Sequence, residues 1–190
     1  MSGCTSSVKW IGAGLVFLGM AAAPVPLSAA ETNAGKPETV IFVCKHGNVK
    51  SQMAAAYFNQ LAKENNLNLT AISRAFTPEW EIPPTITKNL ASEGLTVASE
   101  VGVLNPEEAS RAAQVISFDE LPRENIGDTK YTHWPDSPLT KKGYWVAMGW
   151  IKQHVYDEVD RLVAQKAAEQ KATEQKGTEQ KAAEMERAPK

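Results

Sequence analysis

"IFVCKHGNVKSQMAAAYFN", residues 41–59, changes character twice within a few positions. An apolar run ends on Cys44, a turn containing Gly47 follows, and from Ser51 the apolar residues return at helical spacing as Met53, Ala54, Tyr57, Phe58 and, just beyond, Leu61. Thr39–Val43, "TVIFV", is β-rich and apolar on both faces, the pattern of a central parallel strand. The helix is expected to reach Glu64. In an open parallel sheet, the place where a strand hands over to a helix is the default ligand site. Cys44 stands there.

The rest of the chain repeats the alternation. "LNLTAISRAF" (67–76) reads as a second strand, and Pro83-Pro84 opens a helix carrying Ile86 and Leu90 that stops at Gly94. Asn105 is placed to cap a helix with Pro106 in its first position, "QVISF" (114–118) is another apolar strand, and Gly143 to about Val163 is a long final helix. Strands alternating with helices predict a parallel sheet covered on both faces. From Gln165 a five-residue unit recurs, "QKAAE QKATE QKGTE QKAAE", rich in helix formers but without an apolar stripe. It is read as a solvated, fraying helix or disorder, with residues 39–164 as the folded domain.

The chain has 190 residues, and the first 30 read as an export signal. Lys9 precedes the apolar run Trp10–Ala23, Pro24 and Pro26 break it, and Ser28-Ala29-Ala30 offers small residues for cleavage before Glu31. The run is short against the ~20 residues a membrane span needs. A periplasmic or secreted protein is expected, with residues 31–38 as a linker and no membrane attachment after cleavage. The net charge of −2 does not suggest a nucleic-acid partner. Cys4 leaves with the signal, so Cys44 becomes the sole cysteine and no internal disulfide is possible.

Two readings of Cys44 compete: a small buried core residue, or a nucleophile. The turn favours the second, because backbone N–H groups and the positive end of the helix dipole gather there, suiting a tetrahedral oxyanion and favouring a thiolate. "GNVKS" is not a nucleotide-binding P-loop, since Val49 and Lys45 stand where that loop needs glycine. Lys50 at a helix start is locally unfavourable unless an anion is present. His46 is read as a loop hydrogen-bonder, and Asp136, between prolines, as turn chemistry or an acid. Trp134, Tyr144, Trp145 and Trp150 are expected to pack, with Trp134 also able to line a mouth beside Asp136.

The Cys-x5-Lys-Ser loop resembles the Cys-x5-Arg-Ser loop of low-molecular-weight protein tyrosine phosphatases and related arsenate reductases. The resemblance extends through "SQMAAAYFN", "IPPTITKNLASEGLTV", "LNPEEASRAAQVISFDE" and "HWPDSP", most of Thr39 to Leu162, and the Cys-x-His-Gly-x-x-Lys-Ser form is similar to a phosphatase-like branch. It implies a three-layer α/β/α fold with a four-stranded parallel sheet. It further implies that Cys44 attacks phosphorus, Ser51 stabilises the thiolate, Asp136 protonates the leaving group, and Lys45, His46, Gly47, Asn48, Val49 and Lys50 hold a phosphate-type oxyanion or phosphomonoester. No cofactor or metal is implied. Two departures stand out: Lys50 replaces the family's forked arginine with a point charge, and Asp136-Ser137-Pro138 replaces Asp-Pro. A phosphatase, a silent phosphate, arsenate or phosphoprotein-binding module, and an arsenate reductase using an external thiol are the readings carried forward. Thioredoxin-coupled arsenate reduction needs cysteines that the mature chain lacks.

Overall fold

The computed structural model describes residues 36–138 and 143–186; the expected signal and most of the linker lie outside them. Four strands, β1 (Glu38–Cys44), β2 (Leu69–Ala75), β3 (Gln114–Ser117) and β4 (Tyr131–His133), form one parallel sheet in the order β2-β1-β3-β4. The helices are α1 (Lys50–Glu64), α2 (Pro84–Ser92), the short α3 (Pro106–Ser110) and α4 (Tyr144–Glu186). The three-layer expectation holds.

β1 is apolar on both faces because it is buried on both. Val40, Phe42 and Cys44 join a core with Met53, Phe58 and Leu61 of α1, Leu90 of α2, and Met148, Ile151 and Val155 of α4. Ile41 and Val43 point the other way, into a smaller core with Leu104, Ala109, Val115, Leu121 and Ile126. The period-2 alternation of the strand therefore sets Cys44 on the α1 face.

The element ends follow from local chemistry. Pro84 opens α2, whose chain turns away through Gly94 at φ +73°, and the Asn105 side chain accepts a 2.8 Å hydrogen bond from the Glu108 N–H to cap α3. α4 runs without a break through the repeat and is exposed on every side from Gln165 to Gln180. Helix formers and i,i+4 bonds such as Gln165 to Glu169 sustain it, and Lys166 ties its near part to the Asn66 carbonyl at 2.6 Å. Of the two readings of the tail, the solvated helix is the one found. Trp145 is a correction: it does not pack into the core but is 61% exposed, with its ring edge-on to Tyr144.

The outer edge of β2 is covered. Asn59 both accepts from the Ala71 N–H and donates to its carbonyl, Ser99 Oγ receives the Ser73 N–H, and Gly102 to Leu104 pair with Ala75.

Candidate active site

Cys44 is the last residue of β1 and Lys50 the first of α1, so Lys45 to Val49 must reverse the chain between two buried elements. Gly47 makes the turn possible. Its φ is +69°, and a Cβ there would sit 2.7 Å from the Ala75 side chain. The loop closes on itself: Cys44 Sγ lies 3.0 Å from Ser51 Oγ, both residues being buried.

Behind that contact stands Ser73 of β2, fully buried, whose hydroxyl reaches Ser51 Oγ at 2.7 Å and the Gly47 carbonyl at 2.8 Å. When Ser73 donates to Ser51, the Ser51 proton is free to point at the Cys44 sulfur. Gln52, also fully buried, adds a second donor to the Gly47 carbonyl at 3.3 Å and anchors to the Ser99 carbonyl at 2.9 Å.

The loop's backbone groups are divided unequally. Its carbonyls other than that of Asn48 are engaged: Lys45 accepts from the Thr77 N–H, His46 from Glu79, Gly47 from Ser73 and Gln52, and Val49 from Met53. Its N–H groups from His46 to Gln52 have no partner among the described residues. α1 adds to the imbalance, having no side-chain cap and no acidic residue in its first turn. Buried donors without acceptors are costly unless an anion or water meets them.

Of the oxyanion-holding positions, His46, Gly47, Asn48, Val49 and Lys50 keep free N–H groups, whereas Lys45 donates its own to Asp119 Oδ2 at 2.9 Å. Asp119 follows β3 and is braced by reciprocal bonds with Ser117. His46 Nδ1 faces two acceptors, the Thr77 carbonyl at 3.2 Å and Glu79 Oε1 at 3.3 Å, so it carries the proton and serves as a loop hydrogen-bonder. The Asn48 amide donates to Glu79 Oε2 and the Glu81 carbonyl, both at 3.1 Å.

Lys50 lies over the Phe118 ring, its Nζ 5.3 Å from the centroid. Phe118 in turn meets Trp134 edge-on. Trp134 is buried among Phe42, Phe118, Trp150 and His154, a core position rather than a mouth. Asp136 follows two residues later, in the turn leaving the same carboxyl edge of the sheet as Cys44, but it is exposed and makes no hydrogen bond or ion pair among the described residues. The structure thus joins Cys44, Ser51 and the loop by contacts and leaves Asp136 nearby in topology only. Ser73, Gln52 and Asp119 were missed from sequence; a serine on the buried face of "LTAISRA" was the one available signal. No group of three or more His, Cys, Asp or Glu is placed to hold a metal among the described residues.

No protein-family model matches the chain, and no curated protein matches it in sequence. Solved structures do. A protein tyrosine phosphatase from Entamoeba histolytica superposes with a TM-score of 0.59 at 14% identity, covering 68% of this chain and 99% of the other. The low-molecular-weight protein tyrosine phosphatase SP-PTP from Streptococcus pyogenes gives 0.55 at 15% identity, over 66% and 93%. The fold is that of the low-molecular-weight phosphatases and arsenate reductases. An arsenate reductase in a phosphate-binding state also matches, with a TM-score of 0.51 at 21% identity, covering 65% of this chain and 98% of that one. In this fold Cys44 ends an inner strand of the sheet, and Lys50 opens the helix that follows the loop.

Proposed function

We propose that the protein hydrolyses a phosphomonoester through a phosphocysteine on Cys44, acting after export. The observation that carries this reading is the loop most of whose carbonyls are engaged and whose N–H groups from His46 to Gln52 have no partner among the described residues, wrapped around a cysteine held by Ser51. The free donors take the non-bridging oxygens. Sulfur attacks phosphorus, the S–P bond forms as the ester P–O bond breaks, and Asp136 gives its proton to the leaving oxygen. Water then attacks phosphorus, the S–P bond breaks, inorganic phosphate leaves, and Asp136 recovers a proton. Lys50 supplies one positive charge where a forked guanidinium would supply two aligned donors, a difference worth on the order of 10²-fold in rate.

A silent binding module is the second reading, favoured by Lys50 resting on Phe118 and by Asp136 having no contact with the loop. Arsenate reduction ranks third, because Cys44 is the only cysteine among the described residues and an external thiol would have to resolve the arseno-cysteine. Mass spectrometry of Cys44 after incubation with an aryl phosphate separates them. A phosphoryl adduct that turns over, and is absent in Cys44→Ser, supports the hydrolase. Oxyanion binding without adduct or turnover leaves the binding module.

A further inference from the structure

The segment after β2, "TPEWE" (77–81), is stapled to the oxyanion loop rather than hanging free of it. Thr77 N–H donates to the Lys45 carbonyl at 2.9 Å and Glu79 N–H to the His46 carbonyl at 3.2 Å, while Asn48 binds the Glu79 carboxylate and the Glu81 carbonyl. Between this segment and the start of α2 opens a cleft of about 540 Å³, lined by Asn48, Glu79, Trp80, Glu81, Pro83 and Pro84. Asn48 is thus a wall of the cleft and a member of the loop. The anion loop and the cleft are neighbours joined by these hydrogen bonds.

The chemistry of that cleft is unusual beside an anion site. Trp80 is 70% exposed, the most exposed large hydrophobic of the fold, and it is flanked by carboxylates on both sides. Glu79 is partly answered by His46 and Asn48; Glu81 has no ion-pair partner among the described residues. Two carboxylates beside the mouth repel a simple phosphate dianion. They assist one that brings its own positive charge, and an exposed indole in a cleft also lined by two glutamates is a favourable seat for an ammonium group.

We propose that the substrate is a phosphomonoester of an amino alcohol, its phosphate in the Cys44 loop and its ammonium on Trp80 beside Glu79 and Glu81. This rests on the oxyanion reading of Cys44 to Ser51 and adds the identity of the ester group. It does not depend on turnover, because the same recognition serves binding alone.

The test is protection of Cys44 from iodoacetamide in the full chain by three probes: inorganic phosphate, phosphocholine, and the uncharged isostere 3,3-dimethylbutyl phosphate. Phosphocholine is expected to protect at about tenfold lower concentration than the isostere. Trp80→Ala should abolish that gap with protection by inorganic phosphate unchanged, and Glu81→Gln should narrow it while inorganic phosphate protects at least as well as in the wild type, one repelling carboxylate being removed. Equal protection by the two esters, with inorganic phosphate still protecting, would overturn the amino-alcohol assignment and leave the oxyanion site standing. A lysine-flanked phosphotyrosine peptide protecting far better than phosphocholine would also overturn it, in favour of a basic phosphopeptide. If no probe protects, the oxyanion reading falls and this assignment falls with it.

Discussion

Ser73→Ala removes one oxygen from a fully buried site and leaves no clash behind. The lost hydroxyl lies 2.7 Å from Ser51 Oγ and 2.8 Å from the Gly47 carbonyl. The hydroxyl has one proton, so it donates to one of these at a time, and Gln52 answers the Gly47 carbonyl when Ser73 turns to Ser51. Gly47 keeps Gln52 as a donor and Ser51 keeps Cys44, so no acceptor is wholly orphaned, and the loss is about 1–2 kcal/mol of stability. In a domain of this size that lowers Tm by roughly 2–8 °C. The functional effect is separate: without Ser73 to donate to it, Ser51 is no longer aimed at sulfur. Cys44 alkylation at neutral pH should slow about fivefold, the effect of losing about one hydrogen bond's worth of positioning at sulfur. Asn59→Ala is the control, since Asn59 grips Ala71 on the same strand and touches none of the loop. It should lower Tm comparably while leaving alkylation at the wild-type rate. Were Ser73→Ala to lose stability and still alkylate like wild type, Ser73 would be a structural peg and the relay to Cys44 would be wrong.

Gly47→Ala should cost roughly 2–4 kcal/mol in denaturant unfolding, combining a positive φ with a Cβ 2.7 Å from Ala75; a loss below about 1 kcal/mol would mean the loop has another conformation. Lys50→Arg should raise kcat for an aryl phosphate by about tenfold or more if turnover is limited by the missing fork, and no gain would place Lys50 outside the transition state. Asp136→Asn should slow alkyl phosphates far more than activated aryl esters, because only the former need a proton; equal slowing would remove the acid role. Burial and the 2.7 Å bond to Glu93 raise the Tyr144 phenol above its ordinary value of about 10. A group raised on folding contributes below its unfolded pKa and loses that contribution as pH climbs through the folded one. Tyr144→Phe should therefore cost about 1 kcal/mol near neutrality, a gap that closes only above about pH 10.

β1, α1 and the caps at Asn105, Pro84 and Gly94 were legible because each rests on local chemistry: two-faced burial, a helical stripe, a side-chain acceptor, a fixed φ, a missing Cβ. β4 was not legible from its residues. "YTH" is three half-buried residues at an edge, too short to show alternation, and only the family resemblance supplied a fourth strand. The loop was recognisable by its residue spacing, but the asymmetry of its backbone was not. Which carbonyls are spent depends on Thr77, Glu79, Ser73 and Gln52, partners set by tertiary packing. Asp119 escaped notice for the same reason, being far from Lys45 in sequence and adjacent only through the β1–β3 pairing. Trp145 was misplaced because hydrophobicity alone does not say which face of a helix meets the core.

The cover over β2 bears on how this chain meets its neighbours. A sheet normally ends in a row of unpaired amides that can recruit another chain, and here Ala71, Ser73 and Ala75 have theirs already satisfied by Asn59, Ser99 and Gly102. The opposite border, β4, offers only a three-residue strand. Recruitment by strand addition is closed at β2 and has little purchase at β4, so a partner protein must be recognised through side chains. The same covering segment returns Ser99 to brace both Ser73 and Gln52 behind the cysteine loop. Unzipping that border to admit a foreign strand would slacken the loop itself, tying protection of the sheet edge and the geometry of the cysteine loop to one set of hydrogen bonds.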